Sequence, residues 1–207
     1  MSRSRRIESV FLNIPYDREF EDLYLAYIVG LTELGFKLNL TLAVPNDRRL
    51  DTIIDLIEES NFSIHDLSRI QLSSGIPRFN MPLELGLALY RARIAKGKHR
   101  VYVFESEAYR AQRSTSDING IDPQIHGGSP TGVMAGLRNL FFQPVNMPTV
   151  DEMIETHDAI KASLSLLRHD AGDGSLFESA IFKAIVQAVS EEVRIRKLRI
   201  KRGIPPG

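Results

Sequence analysis

Cysteine and tryptophan are both missing from the 207 residues, and the formal net charge is zero. Without cysteine there is no disulfide framework, no thiolate metal site and no cysteine nucleophile. No apolar run approaches the roughly 20 residues that a membrane span requires. The charged N-terminus also lacks the apolar segment of a secretory signal. These absences point to a cytoplasmic protein with no membrane partner. What remains is ordinary globular material, 43% hydrophobic and 25% charged, enough for one substantial core and an appendage.

Zero net charge conceals an uneven distribution. Arg3, Arg5 and Arg6 open the chain, and Arg194, Arg196, Lys197, Arg199, Lys201 and Arg202 nearly close it, with no acid among them. Residues 7–193 are left with 17 basic against 26 acidic side chains. Basic ends on an acidic body suit either solvated, frayed termini or contact with a neighbouring acidic surface. No aromatic residues interleave with the basic ones to stack on bases, so nucleic acid is not the expected partner.

The first two-thirds of the chain alternates strand and helix. Val10, Phe11, Leu12 and Ile14 form an apolar strand that stops at Pro15. Phe20, Leu23, Tyr24, Tyr27, Ile28, Leu31 and Leu34 recur at helical spacing until Gly35. Residues 36–44 alternate apolar and polar, which predicts a half-covered edge strand. Leu50, Ile53, Ile54 and Ile57 write a second helix, with Asn46 or Asp47 as its expected cap. A third strand over 62–65 ends at Asp66. A helix is predicted over 81–95, capped by Asn80, with Pro82 tolerated in its first turn. Val101 to Phe104 reads as a central strand covered on both faces. Ile118 and Ile121 mark a short fifth strand, followed by a helix over 131–142.

This alternation predicts an α/β fold: a flavodoxin-like parallel sheet of order 2-1-3-4-5 with helices on both faces. After Pro148 the strand signal ends. Two helical patterns, separated by a glycine-containing turn at 170–175, predict a C-terminal helical hairpin. The chain thus divides into an α/β nucleotide-binding domain (8–147) and a hairpin extension (148–202).

Ligands of such sheets bind beyond the carboxyl ends of the strands. Glu84 is expected there, in the first turn of the helix that follows strand three. The positive helix end would hold its carboxylate ionised, with a depressed pKa. An ionised carboxylate near a sugar can attack an anomeric carbon. Gly86 removes a side chain from the same helix and would permit close packing on the sheet.

Asn13, Tyr16 and Asp17 follow strand one and are candidates to bond a base edge or a ribose hydroxyl. Tyr16 or Phe79 could stack on a base. Ser68, Arg69 and Arg78 could hold a phosphate. Asn80 and Asp66 complete the candidate binding set. Each also has a structural account: Asp17 as a helix cap, Phe79 as core, the arginines as solvated charges. Residues 126–132, His-Gly-Gly-Ser-Pro-Thr-Gly, form a glycine-rich loop before a helix. The loop could cradle an anion or serve simply as a turn with helix-start chemistry, and His126 could act as an acid or base. Arg110, Arg113 and Asp117 form a further polar group, most simply a structural ion pair. No spacing of His, Asp and Glu resembles a metal site.

Glu84-Leu85-Gly86-Leu87-Ala88, after a third strand ending in Asp66, resembles the Glu-x-Gly-x-Ala helix start of the nucleoside 2-deoxyribosyltransferases. The resemblance implies a glutamate nucleophile at Glu84 and a sugar or base contact at Asp66. The related Toll/interleukin-1 receptor-like domains place a glutamate at the corresponding helix, and some cleave the nicotinamide–ribose bond of NAD. Residues 8–142 also resemble a family of uncharacterised bacterial proteins through three segments, 11–17, 64–69 and 78–86. The sequence departs from the transferases at Arg78-Phe79-Asn80-Met81, where they carry an Asp-x-Gly-Thr segment.

The implied function is a nucleotide-processing N-glycosidase, either an NAD glycohydrolase or a deoxyribosyltransferase. It would require no cofactor, with NAD as a possible substrate. Resemblance to the receptor-like domains further implies antiphage defence, self-association and a possible protein partner. The alternative is a non-catalytic nucleotide-sensing module that acts through a partner or oligomer.

Overall fold

The computed structural model describes residues 7–43, 48–69, 79–108, 121–145, 147–170 and 174–202. Five parallel strands form one sheet in the order β2-β1-β3-β4-β5. They are β1 (Ser9–Asn13), β2 (Lys37–Asn39), β3 (Phe62–Asp66), β4 (Arg100–Glu105) and β5 (Gln124–Ile125). Six α-helices accompany them among the described residues: α1 (Glu21–Glu33), α2 (Arg49–Glu59), α3 (Asn80–Ile94), α4 (Pro130–Leu140), α5 (Val150–Asp170) and α6 (Ser179–Lys201). This is the flavodoxin-like α/β arrangement that the alternation of patterns predicts.

Alternate residues of each strand face opposite layers. Val10 and Leu12 of β1, Ile64 of β3 and Phe104 of β4 join α1, α4, α5 and α6 in the principal core. Phe11 faces the other way, onto Ile53 and Ile57 of α2 and Ala88 of α3. Helix α1 is enclosed between the sheet and the α5–α6 hairpin, and ten of its thirteen residues are buried. The hairpin therefore shares one hydrophobic core with the sheet. Gly35 stops α1 with a φ of 84°, a left-handed conformation that glycine adopts without Cβ strain.

Several local expectations are corrected. Strand β2 ends at Asn39, and the chain turns into a 3₁₀ helix over Thr41–Ala43. The alternation breaks there because Asn39 and Thr41 are buried along with Leu38 and Leu40. Asn39 is compensated by donating from Nδ2 to Ser60 Oγ at 2.9 Å. Helix α3 has Phe79 at its cap position without a side-chain cap bond, and Asn80 lies within the first turn. The cap expected at Asn46 or Asp47 lies outside the described residues, as do Ile118, Arg110, Arg113 and Asp117. The fifth strand runs over 124–125, three residues beyond Ile121, which packs against the cluster of Leu67, Leu85 and Val103.

The basic C-terminal segment is not frayed up to Lys201, where α6 ends. Glu33, at the end of α1, has a completely buried side chain. It accepts from Thr156 Oγ1 at 2.6 Å and from the Arg196 guanidinium. Arg196 also donates to the Glu152 carbonyl at 3.2 Å, so one guanidinium ties α6 to α5 and α1. Among the described residues, no helix is long and apolar enough to cross a membrane.

Candidate functional site

The strand order reverses between β1 and β3, and a crevice opens beyond their carboxyl ends. A cavity of about 240 Å³ lies there. Asn13 and Tyr16 enter it from the segment after β1, Thr41 from the 3₁₀ turn after β2, Arg49 from the start of α2, and Asn80, Met81 and Glu84 from the start of α3. A larger cavity of about 340 Å³ sits beside the segment that leads into β1. Of its charged lining residues, Glu33 is already bonded to Thr156 and Arg196, and Glu8 and Lys197 complete the set.

Glu84 is 4% exposed. It is the fifth residue of α3, past the first turn where the helix end acts on a charge. Burial therefore dominates and pushes its pKa up from 4.5 to about 7, while the Arg49 guanidinium opposes the rise. The expectation of a depressed pKa is reversed. Among the described residues, no hydrogen bond or ion pair reaches the Glu84 carboxyl, which shares the cavity with Asn13, Tyr16 and Arg49. Arg49, whose Nη2 donates to Thr41 Oγ1 at 3.4 Å, is a site residue that the sequence reading missed. The available signal was an arginine opening the helix that follows the edge strand.

Gly86 does not serve close packing on the sheet. It is exposed, and a Cβ added there would meet nothing within 4 Å.

Asn13 is fixed from beneath. Its Nδ2 lies 3.0 Å from His65 Nδ1 and 3.2 Å from the Met81 carbonyl. The carbonyl can only accept, which sets the orientation of the amide. His65 Nδ1 must then accept as well, and its proton sits on Nε2. Burial, assisted by His99, lowers the His65 pKa to about 3, so the ring stays neutral. Both amide hydrogens are thereby used internally. Asn13 Oδ1, bonded to no described residue and not fully buried, is left to accept from a ligand.

Tyr16 stands opposite in character. Its ring packs against Tyr24 and Phe177, with centroids 6.2 and 5.9 Å away. Burial raises its phenol pKa, so it stays protonated.

Other candidates have different roles. Asp66 is fully buried and saturated: Oδ2 accepts from Tyr27 at 2.7 Å and from His126 Nε2 at 3.2 Å. Its Oδ1 accepts from the Ser68 amide at 2.9 Å and from the Ser68 hydroxyl. Neither Asp66 nor Ser68 lines the cavity, so the sugar or base contact expected of Asp66 is not available. Asp17 precedes the 3₁₀ turn at Arg18–Phe20 and pairs with Arg69 at 2.9 Å. Arg69 also pairs with Glu19 at 2.7 Å, which spends its charge on two carboxylates instead of a phosphate. Phe79 is exposed, not core. Arg78 lies outside the described residues.

The glycine-rich loop is a structural turn. Gly128 N–H donates to His126 Nδ1 at 3.0 Å, and Gly132 N–H donates to Ser129 Oγ at 3.1 Å, which caps α4. These amides are consumed and are not free to cradle an anion. The Gly128 bond also leaves the His126 proton on Nε2, facing Asp66. Gly132 is required because a Cβ there would sit 2.0 Å from the His126 carbonyl oxygen. Among the described residues, no group of three or more acids and histidines could hold a metal.

No family model matches this chain and no curated protein matches it in sequence, so the functional reading rests on the pocket itself.

Proposed function

We propose that the chain cleaves or transfers an N-glycosidic bond, with Glu84 attacking the anomeric carbon of a nucleotide. The observation that carries this reading is the Glu84 carboxyl, on a residue only 4% exposed, which bonds to no described residue and opens into a cavity at the switch point of the sheet. A titratable group so perturbed by burial and open to a cleft is a candidate for binding or catalysis. Burial that raises the Glu84 pKa to about 7 also raises its intrinsic nucleophilicity, and about half remains ionised at neutral pH.

The pocket favours a pyridinium nucleotide such as NAD. Glu84 is the only carboxyl among the described lining residues, and no imidazole lines the cavity. A purine leaving group needs an acid to protonate it, whereas a pyridinium does not. The Glu84 carboxylate forms a C1′–O ester as the C1′–N bond breaks, and the nitrogen takes the bonding pair to leave as neutral nicotinamide. Water then attacks C1′, regenerating the carboxylate and releasing one proton to solvent. Asn13 Oδ1 accepts from a ribose hydroxyl, and Arg49 faces the phosphates. A cytoplasmic setting and a part in antiphage defence fit this activity.

The second reading is a nucleotide sensor without turnover. Its supporting observation is Tyr16, a pocket residue whose ring touches Phe177 at the hairpin connection and so couples occupancy to α5 and α6.

The test is chromatography of the protein incubated with NAD and with a panel of nucleosides, beside Glu84→Gln. Nicotinamide released by the wild type and not by the variant is the expected result. Equal release by Glu84→Gln removes the assigned nucleophile. No release from any substrate, with a ligand-dependent rise in Tm, establishes the sensor.

A further inference from the structure

Asn13 closes β1 and is only 5% exposed, with its amide in the wall of the crevice. Its Nδ2 is committed beneath the site, 3.0 Å from His65 Nδ1 and 3.2 Å from the Met81 carbonyl. The residue therefore offers a ligand one atom, an oxygen that accepts, with no free donor beside it. Its neighbours in the wall are less selective. The Tyr16 and Thr41 hydroxyls and the Asn80 amide can each donate or accept, and the Arg49 guanidinium only donates.

What meets the Asn13 oxygen follows from the geometry of displacement at C1′. In a β-nucleotide the base leaves from one face of the sugar ring, and a nucleophile in line with it approaches from the other. Both ribose hydroxyls project from that second face. Glu84 attacking C1′ thus stands on the hydroxyl side of the ring, and Asn13 lines the same cavity. Of the two hydroxyls, the 2′ group sits on the carbon next to C1′ and is the donor nearer to the Glu84 carboxyl.

We infer that Asn13 Oδ1 accepts from the 2′-hydroxyl, so that the crevice selects ribonucleotides over 2′-deoxyribonucleotides, and that His65 is the positioning residue holding this oxygen in place. The inference rests on the reading of the crevice as a nucleotide site. A 2′-deoxy sugar sets a C–H against the oxygen, and a site built around a substrate hydroxyl penalises the analogue that lacks it.

His65 suits the positioning role. It lies in register with Asn13 on the neighbouring strand β3 and is fully buried. Its ring packs against Phe11 at a centroid distance of 6.0 Å, and its Nε2 has no hydrogen-bond partner among the described residues. Burial keeps the ring neutral, with a pKa of about 3, so Nδ1 remains an acceptor at any ordinary pH. Turning the Asn13 amide over would set its oxygen against two acceptors at once, His65 Nδ1 and the Met81 carbonyl.

The test is calorimetric binding to Glu84→Gln, which keeps the shape of the pocket while removing the assigned nucleophile. The probes are two pairs: adenosine 5′-monophosphate with its 2′-deoxy analogue, and nicotinamide mononucleotide with its own. The adenine pair reports on the sugar whether or not the crevice prefers a pyridinium. In each pair that binds, the ribose member is expected to bind at least about tenfold tighter. Adding Asn13→Ala brings the ratio near one, and so does His65→Leu. His65→Asn, whose amide oxygen reaches the place of Nδ1, restores it. A purely structural defect weakens both sugars alike and leaves the ratio where it was. Equal affinities overturn the proposal, as does a ratio indifferent to Asn13→Ala or to His65→Leu, or no binding of any probe. Sugar selection by a protein that releases no nicotinamide removes the nucleophile and keeps this inference, whereas nicotinamide release with equal affinities removes this inference alone.

Discussion

Replacing Glu84 by glutamine tests the site through stability before any substrate is known. The folded protein raises the pKa of this carboxyl from 4.5 to about 7, chiefly by burial. Between those values the folded state holds a proton that the unfolded chain releases, so folding stability falls as pH rises through that window. The loss is complete above about pH 8, where it amounts to about 3 kcal/mol. Below pH 4.5 both states are protonated and the cost vanishes. Glutamine keeps the shape and carries no charge, so Glu84→Gln gains stability with pH. For a chain of this length each kcal/mol moves Tm by about 2–4 °C. The variant is expected to melt with the wild type near pH 4.5 and about 6–12 °C above it at pH 8.5. Scanning calorimetry across this range measures the difference directly. A stabilisation equal at both pH values, or a loss at pH 8.5, refutes the argument that the carboxylate is buried without a partner. A gain of that size at pH 8.5 would support the proposal that Glu84 serves chemistry or binding.

Arg49→Gln removes the cation that opposes the rise in the Glu84 pKa. The pH midpoint of activity, or of the Glu84-dependent stability difference, should move upward, and a midpoint that stays put contradicts an electrostatic effect of Arg49 on Glu84. Arg196→Leu strands the buried Glu33 carboxylate and is expected to cost about 3 kcal/mol, some 6–12 °C in Tm. Glu33→Leu with Arg196→Leu should recover most of that loss, and denaturation of the three proteins separates the outcomes. Gly132→Ala drives a methyl into the His126 carbonyl. It should cost more than about 4 kcal/mol, and near-wild-type denaturation would show that the loop yields.

The fold was readable where burial acts through local pattern. The continuous apolar runs of β1 and β4, and the helical repeat from Leu23 to Leu31, reflect elements covered on both sides, while the alternation over residues 36–44 put β2 at the edge and led to the order 2-1-3-4-5. The length of β2 was overestimated because Asn39 and Thr41 look exposed by type, yet Asn39 finds a hidden partner in Ser60, which lies twenty-one residues on. The site divided along the same line. Asn13, Tyr16, Asn80 and Glu84 fall together around one cavity, a grouping expected because strand ends are legible in the sequence. The ionisation of Glu84 was misread because helix position is a local quantity, whereas burial depends on the whole packed crevice. Asp66 likewise needed Tyr27 and His126, distant in sequence, before its saturation could be seen. Arg49 went unnoticed because one arginine at a helix start has no pattern to set it apart.

The enclosure of α1 has a consequence for synthesis of the chain. The outer surface of this helix is covered by α5 and α6, which leave the ribosome more than a hundred residues after α1 itself. At common elongation rates the interval from Glu33 to Val193 lasts roughly 10–30 s. Throughout that time the sheet can assemble, while the far side of α1 stays bare and adhesive. The nascent chain is thus most exposed to aggregation during a defined stretch of translation. Codons that slow the ribosome between Pro148 and Val193 should lower the soluble yield more than equal delays placed before α1.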